Sequence, residues 1–101
     1  MSSTHAIQKI ALERKRQIED LGFTEAHDDR HSTGQLLRAA SCYMREPRDR
    51  PSARYKAPVD WPFRNDEWKP SLDDRERELV KAAALLCSEI DRMHRAKNTK
   101  G

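Results

Sequence analysis

Residues 71–95, SLDDRERELVKAAALLCSEIDRMHR, are the stretch on which the fold turns. Their spacing predicts a helix over about 72–95. Ser71 is placed to cap its N-terminus, with Asp73 and Asp74 in the first turn, where free backbone N–H groups favour negative charge. Leu79, Ala83, Leu86, Ile90 and Met93 recur at threes and fours and form one apolar stripe. Val80, Ala84 and Cys87 form a second stripe beside it. Arg92, His94 and Arg95 lie near the C-terminal end, where cations are favoured. From Ala82 to Cys87 there is no polar side chain. That run exceeds one turn of ~3.6 residues, so it is apolar all round and requires cover on every side. Two further short helices supply too little, which predicts a homo-oligomer joined through residues 79–93.

Working outward, a first helix is expected over about 4–21. Ser3 or Thr4 can cap it, and Gly22 stands where a left-handed residue closes a helix. Ile7, Ile10, Ala11, Ile18 and Leu21 are its apolar positions; Glu13, Arg16, Gln17 and Asp20 lie on the other face. A second helix is expected over about 33–45. Ser32 and Gln35 have capping-box spacing, and Leu36, Leu37, Ala40, Tyr43 and Met44 make one stripe. It must stop before Pro47, because the residue before a proline avoids the α region.

Between the second and third helices lies a loop, 46–70, that holds all five prolines and four of the six aromatics. Its first part is basic and 46–57 is expected to be mobile. The remainder, 58–70, is expected to pack down, since Trp61 and Trp68 bury too much apolar area to leave in water. The fold class that follows is all-α: a single small domain, 1–101, of three main helices with a long proline- and aromatic-rich loop.

The chain has 101 residues, enough for one domain. Leu, Ile, Val and Phe together number sixteen, below the ~20% at which disorder enters, but the net charge of +3 is too small to favour it. The core is thin and the surface charge-rich. No run nears the ~18 apolar residues of a membrane span, and no secretory leader pattern opens the chain. Cys42 and Cys87 form neither a disulfide framework nor a zinc knuckle, so a reducing, cytoplasmic setting is expected.

Three constellations could carry chemistry. His27-Asp28-Asp29-Arg30-His31 offers metal-type ligands, which Glu13 or Glu89 could complete. A zinc, manganese or magnesium ion there could activate water against a phosphate ester. The plainer reading is a turn ahead of the second helix, with its acids complementing the helix dipole. Acidic residues on the helices could hold magnesium against a nucleotide, or simply face solvent. Trp68, beside Lys69 and Arg64, could stack a base and hold its phosphate, whereas Trp61 reads as a hydrophobic clasp. Arg16, His27 and His31 complete that candidate ligand set. Nucleic acid is disfavoured: acids nearly balance the basic residues, and no recognised binding pattern is present. No glycine-rich phosphate loop or serine-nucleophile motif occurs, and no catalytic residue can be assigned.

Taken together, Glu13-Arg14, Gln17-Ile18, His27-Asp28-Asp29, His31, Gly34-x-Leu36, Ala39-Ala40, Tyr43, Trp61-Pro62, Trp68-Lys69-Pro70, Leu79-Val80-Lys81-Ala82 and Glu89-Ile90-x-Arg92 resemble a group of small bacteriophage and prophage proteins. The resemblance covers about residues 13–95. It implies a cytosolic accessory protein made during infection, in a class that often counters host defence by binding a host protein or a nucleotide signal. A weaker similarity is to all-α nucleoside triphosphate pyrophosphohydrolases. Their paired glutamates are missing here, since the second helix has no acid before Glu46. The leading expectation is therefore a binding protein, without a cofactor, for an anionic, nucleotide-type ligand or a host protein. The alternative is a metal-dependent nucleoside-phosphate hydrolase using His27, Asp28, Asp29, His31, Glu13 and Glu89.

Overall fold

The computed structural model describes residues 4–50 and 56–98. Among the described residues four α-helices are present where the sequence predicts three: α1 (His5–Leu21), α2 (Glu25–Asp29), α3 (Gln35–Met44) and α4 (Arg75–Asn98). Short 3-10 turns occur at Pro47–Asp49 and Asn65–Glu67. There is no strand among the described residues, and none of their helices is long and apolar enough to cross a membrane.

The ends of α1 form as expected. The Thr4 hydroxyl accepts from the Ile7 N–H, and Gly22 closes the helix at φ 74°. The other ends differ. α4 begins at Arg75, because the Asp74 carboxylate, not Ser71, accepts a first-turn N–H, that of Arg77 at 3.0 Å. The Ser71 N–H is turned instead to Glu78. α3 begins after Gly34, at φ 89°, and the Ser32–Gln35 capping box does not form: the Gln35 amide oxygen accepts from the Thr33 N–H at 2.8 Å. The extra helix, α2, is one turn capped by the Thr24 hydroxyl. It takes in His27, Asp28 and Asp29, which a plain turn would have left irregular.

α4 is the spine, with α1, α2 and α3 all packed on it. The core joins Phe23, Leu36, Ala39, Ala40, Cys42 and Tyr43 to Ala82 and Leu85 of α4, and is closed by Ala57, Trp61 and Trp68 from the long loop. Within 58–70, Pro58, Trp61 and Trp68 are buried, whereas Val59, Asp60, Arg64, Asn65, Asp66 and Lys69 are exposed. Of the 46–57 stretch, 51–55 fall outside the described residues. Arg50 is anchored, with its guanidinium on the Glu78 carboxylate at 2.8 and 3.1 Å.

α1 departs most from its pattern. Its buried residues are Glu13 and Gln17, while Ile7 and Ile18 on the apolar stripe are exposed. α4 behaves alike. Its buried face carries Glu78, Lys81, Ser88 and Glu89 among Ala82, Ala84 and Leu85. The stripe of Leu79, Leu86, Ile90 and Met93 is exposed. The carboxylates buried between α1 and α4 are paired there, while the Gln17 amide oxygen is buried without a hydrogen bond among the described residues. Glu13 accepts from Arg16 at 2.6 and 2.9 Å, from Arg77 at 3.3 Å and from the Gln17 amide at 3.2 Å. Arg14 donates to Ser88 at 2.6 Å and Asp91 at 3.1 Å.

Candidate functional site

The tryptophan clasp also sets out charge. The Trp61 indole N–H donates to the Arg64 carbonyl at 2.9 Å, which fixes the turn from which Arg64 projects. Trp68 stacks on Tyr43, with ring centroids 4.6 Å apart, and meets Trp61 edge-on at 5.1 Å. The next residue, Lys69, is held through its backbone. Its N–H donates to the Tyr43 hydroxyl at 2.9 Å, and its carbonyl accepts from the Lys81 ammonium. Lys81 is buried beneath it, also donates to the Ser71 hydroxyl at 3.0 Å, and lies over the Tyr43 ring. Burial pushes its ammonium down to about 8, and the nearby Arg77 and Arg16 charges act in the same direction.

Arg16, Arg64 and Lys69 line one open groove of about 420 Å³, together with Asp20, Leu21, Asp66 and Glu67. Three of the six ligand residues expected from sequence thus converge from separate parts of the chain. Arg16 is oriented by the two-pronged contact with Glu13, and this hydrogen bond holds its guanidinium above the ordinary arginine range. Arg64 pairs with Asp66 at 2.7 Å, both side chains being well exposed. The Lys69 ammonium has no ion pair among the described residues. Asp20, Asp66 and Glu67 were not expected as site residues. The signals for them are local: Asp20 lies four residues from Arg16 on one helical face, and Glu67 lies three from Arg64, whose N–H it accepts at 3.1 Å.

The other expected ligand residues lie elsewhere. Trp68 is buried, with Tyr43 and Trp61 against its ring and the Arg50 guanidinium 5.2 Å from its centre, so a base has no open face there. His27 stacks flat on Phe23 at 4.4 Å, and His31 meets Phe63 edge-on at 5.0 Å. The histidines form an aromatic cluster with Phe63, the residue just before Arg64, and are not part of the groove's lining.

The six residues considered for a metal are not brought together as one site: His27, Asp28 and His31 are neighbours, and Asp29, Glu13 and Glu89 are each held by arginines. His27 Nδ1 bonds to the buried Asp28 carboxylate at 2.9 Å, and His31 Nδ1 donates to the His27 carbonyl at 2.6 Å. Asp29 accepts from Arg95 at 2.8 Å, Glu89 from Arg92 at 2.7 and 2.9 Å, and Glu13 from Arg16 and Arg77. Each of the four acids considered for the metal is thus turned to an arginine or a histidine. No group of three or more His, Cys, Asp or Glu side chains among the described residues is arranged to hold a metal ion.

The groove is mixed in charge, with three cations and three carboxylates. Chemically it offers guanidinium and ammonium donors for a phosphate, and carboxylate acceptors for hydroxyl or amino groups. Comparison with family models, curated proteins and solved structures finds no match for this chain.

Proposed function

We propose that the chain is a small helical binding module that holds a nucleotide-type ligand in the Arg16–Arg64–Lys69 groove, within the phage-accessory setting implied by its resemblance. The observation that carries this reading is the convergence of three cations from α1 and from both ends of the Asn65–Glu67 turn on one groove. At about 420 Å³ the groove is within the ~300–1,000 Å³ usual for small-molecule sites. Lys69 and Arg64 take the phosphate; Asp20 and Glu67 accept from ribose hydroxyls or a base amine. A ligand with phosphate alone would leave those carboxylates as repulsive neighbours, so the mixed lining favours a nucleotide over inorganic phosphate.

Isothermal titration with a panel of nucleoside mono- and triphosphates, and with inorganic phosphate as control, tests this. We expect at least one nucleotide to bind at least tenfold more tightly than phosphate. Lys69→Ala is expected to cost about tenfold, roughly 1.4 kcal/mol. If neither the panel nor phosphate produced heat, or if Lys69→Ala bound unchanged, the groove would lose its assignment. A host-protein ligand is the outcome to pursue in that case.

A further inference from the structure

α4 leaves a long apolar stripe unpaired on the side away from the core. Leu79, Leu86, Ile90 and Met93 are 46, 37, 64 and 56% exposed, whereas Glu78, Lys81, Leu85 and Ser88 on the opposite side are at most 4% exposed. At ~1.5 Å per residue the stripe runs ~21 Å. Beside its N-terminal half lies an apolar groove of about 290 Å³, lined by Ala6 and Ile10 of α1 and by Leu79, Val80 and Ala83 of α4. Its C-terminal half has protruding Ile90 and Met93. One half is a socket and the other a pair of knobs.

We infer that a second copy of this chain occupies this face, with the two α4 helices antiparallel about a two-fold axis at Leu86. Only an antiparallel pairing brings the knobs of each copy to the socket of the other. Leu79 then lies opposite the partner's Met93, Ala83 within one residue of the level of the partner's Ile90, and Leu86 against the partner's Leu86. The same register brings Glu76, in the first turn of α4, within one residue of the level of the partner's Lys97, in its last turn, so these two side chains match in charge. A parallel pairing would set Glu76 on Glu76, Lys97 on Lys97 and knobs on knobs. An isologous contact of this kind closes on itself and does not propagate. It uses none of the groove residues around Arg16 and stands independently of the proposed ligand.

Light scattering on the full chain is expected to give the mass of two chains. Leu86→Glu places two carboxylates together at the axis and is expected to give a single-chain mass, with helical circular dichroism retained because Leu86 lies outside the core. A single-chain mass for the unmodified protein overturns the inference and leaves the face for a different partner. A two-chain mass for a folded Leu86→Glu variant also overturns it. Orientation is read in a Cys87→Ser background, since Cys42 is buried. A short bis-maleimide should join Leu79→Cys to Met93→Cys chains when the two are mixed, and should not join Leu79→Cys chains to one another. Joining of Leu79→Cys chains alone overturns the antiparallel arrangement.

Discussion

The two sides of α4 invert the usual arrangement. The side against α1 and α3 buries two carboxylates, an ammonium and a hydroxyl, while the opposite side exposes leucine, isoleucine and methionine. On the inward side each charged group is hydrogen-bonded: the carboxylates to arginines, and Lys81 to the Lys69 carbonyl and the Ser71 hydroxyl. Glu78, fully buried, takes two hydrogen bonds from Arg50, one from Arg75 at 3.1 Å and one from the Ser71 N–H at 3.1 Å. Arg50 and Arg75 also donate to the Tyr43 carbonyl at the end of α3. One carboxylate thus joins the third helix, the start of the loop and the start of the fourth helix. On this helix the apolar pattern marks the exposed side and the paired polar residues mark the buried one.

The largest expected effect comes from breaking the inward side. Glu78→Ala leaves two guanidinium groups facing each other without their shared acid. Arg50 has only 5% of its side chain exposed, so water cannot take the place of the carboxylate there. Removing one partner of a buried pair costs ~3–5 kcal/mol. For a domain of this size each kcal/mol moves the melting temperature by ~4–8 °C, and the loss should be read from urea unfolding at an unchanged slope. A cost below ~1 kcal/mol would mean that the network only decorates a fold held by the tryptophan clasp.

The contrast between the two sides also explains what the sequence reveals and what it conceals. α1 and α4 are legible because their caps and periodicity are local: Thr4, Gly22 and the repeat from Leu79 to Met93. The proline limit on α3 and the burial of Trp61 follow from residue chemistry alone. α2 is a single turn and has no period to detect. The orientation of α1 is hidden for a deeper reason. Glu13 and Gln17 face inward only because Arg16 and Arg77 meet them, and the second partner is 64 residues away. Of the site, Arg16, Arg64 and Lys69 are legible as cations near aromatics. Trp68 is misleading, because charged neighbours in sequence do not reveal that Tyr43 covers its ring. The His27–His31 pair suggests a metal until the hydrogen bonds of its acids are traced.

A smaller effect, one of pH, sharpens the comparison. The Lys81 ammonium is depressed to about 8 on folding, from an ordinary 10.5. Between those values the unfolded chain holds a proton that the folded chain has released, so stability rises with pH. The Cys42 thiol acts oppositely: burial, with the Asp60 charge adding, pushes it up to about 11 from 9.0, so above pH 9 it removes stability as pH rises. Tyr43 is raised as well, chiefly by burial, and adds to that loss above pH 10. The clear window is therefore pH 8 to 9, where unfolding free energy should climb by ~1 kcal/mol and then level off. Lys81→Met should remove the climb. On the acid side, Glu78 acts in the other direction. Burial alone would raise its carboxyl, but the hydrogen bonds from Arg50, Ser71 and Arg75 outweigh this and hold it below 4.5. Its stabilisation is present above the unfolded value and is lost as pH falls through the depressed folded one.

The smallest effect belongs to a residue that appears equivalent to the α4 stripe and is not. Leu12 on α1 is 63% exposed, more than Leu79 or Leu86. If exposure alone marked the covered face, Leu12→Lys would disturb assembly as Leu86→Glu does. Yet Leu12 lines a charged hollow with Lys9, Glu13, Arg16, Asp74 and Arg77. That hollow adjoins the apolar groove of Ala6, Ile10 and Leu79 at Glu76 and Val80, but Leu12 is not in the groove's lining. A lysine there finds Asp74 and Glu76 among its neighbours and water for the rest. Urea unfolding should change by no more than ~0.5 kcal/mol, as for other surface sites, and light scattering should give the same mass as the unmodified chain. Scattered exposed leucines are ordinary in folded proteins; the information lies in a stripe that is continuous along one helix and adjoins a groove. A drop to a single chain in Leu12→Lys would place the covered face on α1 instead, and the two-fold axis could no longer pass through Leu86.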